Sequence, residues 1–138
     1  MKFLQQKIFL FFYTIITLFL LTACLPNSPE KIAEKFMRAV YSGDSQTVID
    51  MVYIEEENKN KVGMEEMLRG KLKIMVDDAH DKAQKRGGVK SVKSDKAEYS
   101  NNNQQAKVKV HVIFNQNNEE IIEDVKLIKD KKVWKINM

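Results

Sequence analysis

The chain has one cysteine, Cys24, and two histidines, His80 and His111, among 138 residues. A lone cysteine rules out an intrachain disulfide, so the fold must stand on its hydrophobic core. With so few histidine and cysteine side chains, no second cluster exists to close a zinc-type coordination shell. Net charge is also scarce: 23 basic against 19 acidic residues give +4, too little to argue for a nucleic-acid partner. There is no internal repeat, the length suits one domain, and no catalytic motif names a reaction.

The apolar content is concentrated at the start. Lys2 and Lys7 precede a stretch from Ile8 to Ala23 with no charged residue, which is short for a transmembrane helix of about 20 residues and has the layout of an export signal. Its end, Leu21-Thr22-Ala23-Cys24, resembles the lipobox of bacterial lipoproteins. That resemblance implies a diacylglyceryl group on the Cys24 sulfur, cleavage before Cys24 and acylation of the new amino terminus. Each buried CH₂ of such chains contributes about 0.8 kcal/mol, so two or more chains hold a protein stably on a membrane. Leu25, where an aspartate resembles an inner-membrane retention signal, favours the periplasmic side of an outer membrane. The expected organisation is a cleaved signal over 1–23, a lipidated tether over 24–28 and one domain over 29–138. Loss of Lys2 and Lys7 leaves 21 basic residues against 19 acidic. Export also argues against nucleic acid.

Helical punctuation opens the domain. Ser28 can cap, Pro29 suits the first helical position, Glu30 suits the positive end of the dipole, and Ile32, Phe36, Ala39 and Val40 recur at helical spacing until Gly43. Asp44 can cap a second helix carrying Val48, Ile49, Val52 and Tyr53, followed by a polar loop from Glu55 to Lys61. A third helix follows, with Met64, Leu68, Leu72, Met75, Ala79 and Ala83 on one stripe and Gly87-Gly88 as its stop. Its methionines read as core filler.

Beyond the glycines the period changes to alternation. Ala106, Val108, Val110, Val112 and Phe114 form one face of a strand, and Lys107, Lys109, His111 and Ile113 the other. A turn at Asn115 to Asn118 sets Phe114 against Glu119, Val112 against Ile121, Val108 against Val125, Ala106 against Leu127 and Lys109 against Asp124. A second turn at Asp130-Lys131 would place Leu127 beside Trp134 and Val125 beside Ile136. A weaker strand around Val89 to Tyr99 completes a four-stranded antiparallel sheet, with the polar Ser100 to Gln105 run as its hairpin loop. Helices first and a meander second is an α+β order, with the third helix across the sheet.

The helix from Ser28-Pro29-Glu30 to Tyr41-Ser42-Gly43-Asp44, the strand Ala106-Lys107-Val108-Lys109-Val110 and the closing Asp130-Lys131-Lys132-Val133-Trp134-Lys135-Ile136 together resemble uncharacterised bacterial lipoprotein domains of the nuclear-transport-factor-like, or cystatin-like, α+β roll superfamily. The resemblance implies N-terminal helices packed on a curved sheet with a cavity at one end. It implies no reaction, because fold and function separate readily.

Three groups of side chains invite a functional reading. Glu123 interrupts the apolar face of its strand, opposite Val110 and Met138 in the expected register. Buried there its carboxyl would be pushed toward a general base, with Tyr41, Tyr53 or Tyr99 as a companion hydroxyl; at a strand end where the sheet opens it simply reaches water. Asp77, Asp78, His80 and Asp81 have the composition of a metal site, but Asp77 and Asp81 point away from the apolar stripe with His80 on its flank, as on a solvated helix face; no metal and no cofactor is expected. On the outer sheet face Lys107, Lys126 and Lys135 fall side by side in the expected register, among Ile113, Ile122, Ile128 and Val133. That mixture suggests a homodimer face or a dock for an acidic envelope partner. The reading is a lipid-anchored, non-catalytic binding or interaction module of the cell envelope. A small-molecule enzyme or ligand-binding protein using the roll's cavity, and an immunity-type lipoprotein, are the alternatives.

Overall fold

The structure is a computed structural model that describes residues 27–138; the lipobox and Cys24 lie outside the described residues. Among the described residues four helices precede the sheet: α1 (Pro29–Ser42), α2 (Ser45–Met51), the single turn α3 (Glu56–Lys59) and α4 (Met64–Lys85). Ser28 Oγ accepts from Lys31 N at 3.3 Å, so the hydroxyl satisfies one of the unpaired amides at the start of α1. Gly43 closes α1 at φ 81°, its N–H turned back on the last carbonyls. The same glycine is forced by packing, because a Cβ there would lie 3.2 Å from His80 Cγ. Asp44 then caps α2 through Thr47 N at 3.1 Å.

The sheet holds β1 (Val89–Ser94), β2 (Glu98–Ser100), β3 (Gln105–Phe114), β4 (Glu120–Asp130) and β5 (Val133–Ile136). Its order is β1-β3-β4-β5, with β2 also on β3. The weak strand expected over Val89 to Tyr99 is therefore two strands. β1 pairs with the second half of β3 and β2 with the first half. The β3–β4 register is the expected one, with Val112 opposite Ile121, Val108 opposite Val125, Ala106 opposite Leu127 and Lys109 opposite Asp124.

The β4–β5 register differs from expectation by two residues. Leu127 faces Ile136 and Lys129 faces Trp134. The turn is Lys131-Lys132, with φ of 46° and 70°, the left-handed pair that a two-residue hairpin needs to match strand twist. A two-residue slip keeps every side chain on its face, so alternation alone does not separate the two registers. One consequence is that Lys135 stands opposite Ile128 and not beside Lys126.

The concave side of the sheet and the helices share one core. Val108, Val110, Val112 and Phe114 from β3 are fully buried, together with Val48 from α2 and Val76 from α4. Val76 is the most buried residue of α4, lying beside the expected stripe, and Leu72 and Ala83 share its face. Met64 and Leu68 are only half-buried. The flank of α1 stitches the sheet edge: Arg38 Nη2 donates to Val92 O at 2.9 Å, Glu34 Oε1 accepts from Ser94 N at 3.1 Å, and Glu30 Oε1 accepts from Ala97 N at 2.9 Å. At the far edge Val52 bridges Ile136 in parallel, and Tyr53 N donates to Ile136 O at 2.8 Å.

Candidate functional site

The curl of the sheet opens a groove at one end. On β4 the core-facing residues Val125 and Leu127 are buried and Ile121 is half-buried against the core, but Glu123 between them is exposed, so the covered face of the strand is interrupted at Glu123. The gap is a cleft of about 500 Å³. Its walls are Phe36, Met37, Val40 and Tyr41 of α1, Met75 and Ala79 of α4, the Glu123–Lys126 stretch of β4, and Ile136 to Met138. One wall is thus apolar and built partly of methionine, whose flexible thioethers adapt to varied shapes. The other is a strand bearing carboxylates.

Tyr41 lies at the end of α1 and is fixed by two contacts. Its ring meets Phe114 edge-on, with centroids 5.6 Å apart. Its carbonyl accepts from His80 at 2.8 Å, which makes Nδ1 the protonated nitrogen because a carbonyl can only accept. Its hydroxyl is held above the usual phenol range by burial first and then by the negative charge of Glu123, against the pull of Arg86. Arg86 stacks over Phe114 with Cζ 5.0 Å from the centroid, and its Nε lies 3.5 Å from Glu119 Oε2. Tyr41 therefore stays a neutral hydrogen-bond donor near an exposed carboxylate. The pair can orient a cationic or hydrogen-bonding group of a ligand whose apolar part fills the groove.

Glu123 faces Val110 as expected, but the register shift moves Met138 down to the level of Val125. Its carboxylate reaches water where the sheet opens, so the dry-pocket environment of a general base is not built around it. Tyr53 and Tyr99 lie elsewhere. Tyr53 lines a separate cleft beside Leu68, and Tyr99 stacks near Trp134 at 6.0 Å.

Asp77 and Asp78 sit exposed on α4, with Oδ2 at 2.8 Å from Lys73 Nζ and at 2.6 Å from Lys82 Nζ. His80, read from sequence as a flank residue, turns inward beneath Gly43.

The outer sheet face is less basic than expected. Lys107 and Lys126 are opposite one another, but Lys107 Nζ lies 2.9 Å from Asp124 Oδ2. Lys135 has left the row and donates to Asp50 O at 2.8 Å. Ile113 and Ile128 are half-buried, while Ile122 is 56% and Val133 44% exposed. His111 occupies the middle of the face, its Nδ1 2.8 Å from Glu120 Oε1 and its Nε2 3.2 Å from Asp95 Oδ1, the latter out of hydrogen-bond alignment. The bond to Glu120 first, and Asp95 next, hold the imidazole above its ordinary range. Sequence alternation placed His111 on this face; its two carboxylate neighbours depend on strand pairing and had no local signal.

The chain matches the family model described as Domain of unknown function (DUF4878) over residues 22–137. No curated protein matches it. Among solved structures it is similar to a protein of Campylobacter jejuni named "Putative NTF2-like transpeptidase", with 27% identity and a TM-score of 0.69, over 80% of this chain and 98% of that one. The architecture is accordingly α+β, helices packed on a curled antiparallel half-barrel sheet of the NTF2-like kind. The chain belongs to the family Domain of unknown function (DUF4878).

Proposed function

We propose that the chain is a lipid-anchored, non-catalytic binding module of the cell envelope, and that its ligand site is the groove between α1, α4 and β4. The observation that carries this reading is the cleft of about 500 Å³ with an apolar wall from Met37, Val40, Met75 and Ala79 and with Tyr41 and Glu123, whose charge is felt at the Tyr41 hydroxyl, among its polar lining. A volume of that order suits a small ligand or a segment of a larger one. Acyl transfer, which the name of the Campylobacter jejuni protein suggests, calls for a nucleophile activated by a base. Among the described residues that line the groove there is no serine, cysteine or histidine, which favours binding over that chemistry.

The test is uptake of the neutral fluorophore N-phenyl-1-naphthylamine by residues 27–138. Saturable fluorescence that is lost when Ala79→Phe fills the groove supports the site, and fluorescence that never saturates or ignores the substitution removes it. The anchor is tested separately: labelled fatty acid should enter the full chain and fail to enter Cys24→Ala.

A second reading rests on the exposure of Ile122 and Val133 on the outer face, which favours a second copy or an envelope partner there. The carboxylates of Asp95, Glu120 and Asp124 between the lysines weaken its expected acidic complementarity.

A further inference from the structure

The edges of the sheet are not treated alike. In β4 the odd-numbered residues turn their backbone groups toward β3: Phe114 N donates to Glu119 O at 2.9 Å, and Lys129 N donates to Gln104 O at 2.8 Å. The even-numbered residues turn theirs the other way, as Asn137 N donating to Lys126 O at 2.9 Å shows. β5 pairs with β4 only over Leu127 to Asp130. The N–H and C=O groups of Glu120, Ile122 and Asp124 therefore point outward with no partner among the described residues. By the same parity Val92 and Ser94 of β1 face outward, yet Arg38 and Glu34 bond their backbone. The outer edge of β5 is met by Tyr53. Among the described residues the Glu120–Asp124 length of edge is left open, and its Glu123–Asp124 end borders the groove.

We infer that this edge takes an extended peptide as an added strand, with alternate side chains in the groove and a basic side chain at Glu123. The inference rests on the groove being a ligand site and names the class of ligand. Strand addition supplies affinity from backbone hydrogen bonds and specificity from every second side chain. Here the inward side chains of an added strand would meet Met37, Val40 and Met75. Charge selects the partner: Glu119, Glu120, Glu123 and Asp124 line one stretch of β4. Of these, Glu119 is held by Arg86, Glu120 by His111 and Asp124 by Lys107, while Glu123 remains available at the groove. A second copy of this edge would bring like carboxylates together, so self-pairing is disfavoured.

The test uses the full chain in detergent and the fluorescein-labelled peptide acetyl-TLTKTLT-amide, with its lysine replaced by glutamate as the control. Fluorescence anisotropy should show saturable binding, weakened about tenfold or more for the control, for Glu123→Lys and for Ile122→Pro, which removes one outward donor. Binding should also slow hydrogen exchange of the Ile122 and Asp124 amides. No binding of the peptide, or equal binding to all three, overturns the inference. Glu123→Lys keeps the test decisive if the proline variant does not fold, because the carboxylate is exposed. Uptake of the naphthylamine probe without peptide binding would leave the groove reading standing and remove the strand; loss of both would remove both.

Discussion

The ring of Tyr41 stands at 88° to the ring of Phe114, with centroids 5.6 Å apart. Phe114 is fully buried at the end of β3, and Arg86 covers its other surroundings at 5.0 Å. The contact couples the last turn of α1 to the core strand, and so fixes where the Tyr41 hydroxyl enters the groove. Tyr41→Phe should keep the edge contact and the fold while weakening ligands that accept a hydrogen bond. Phe114→Ala should cost about 3–5 kcal/mol by chemical denaturation, and a loss well under that range would mean that the packing around Tyr41 does not depend on Phe114.

Two glycines should respond oppositely to alanine. Gly43 sits at φ 81° with the His80 ring 3.2 Å from the site of its missing Cβ, so Gly43→Ala should lower stability by about 1–2 kcal/mol. Gly70 lies inside α4 with open space around it. Gly70→Ala should raise stability by about 0.5–1 kcal/mol. Equilibrium urea unfolding of both variants reads the pair.

His111 should make stability depend on pH. Its folded-state value is raised by Glu120 and then Asp95, so the protonated form is favoured in the folded chain. The contribution is fully present below the ordinary histidine value of 6.5 and is lost as pH rises through the higher folded value. The stability difference between the native chain and His111→Gln should therefore shrink from acid to alkaline pH. A difference that stays constant would show that the charge plays no part.

The cap of α2 should be separable from the site. Asp44 accepts from both Thr47 N at 3.1 Å and Thr47 Oγ1 at 2.7 Å. These bonds hold its carboxyl below the usual range. Asp44→Ala should lower the midpoint of urea unfolding and leave probe uptake by the groove unchanged.

The pairing of β3 with β4 was readable because the apolar alternation of β3 runs from Ala106 to Phe114 and leaves one face greasy. The first helix was readable from Ser28, Pro29 and Gly43, each with a local reason to be where it is. The placement of β5 was not, since a shift of two residues preserves both faces and only the left-handed pair Lys131-Lys132 decides it. That shift is what broke the lysine row through Lys135. The groove was half visible: Glu123 marked the strand where the apolar pattern fails, but its nearness to Tyr41 depends on how far the sheet curls from α1. Such curvature has no local signature. The inward turn of His80 was hidden for the same reason, its partner being a backbone carbonyl on another helix.

The most direct measurement is ¹³C NMR of the methionine methyl groups during titration of residues 27–138 with N-phenyl-1-naphthylamine. Met37 and Met75 line the groove, whereas Met51 is buried elsewhere in the core and Met67 lies at a different cleft. A ligand site in the groove predicts saturable shifts at Met37 and Met75 with Met51 and Met67 unmoved. Shifts confined to Met67, or no saturable shift at any methionine, would contradict it.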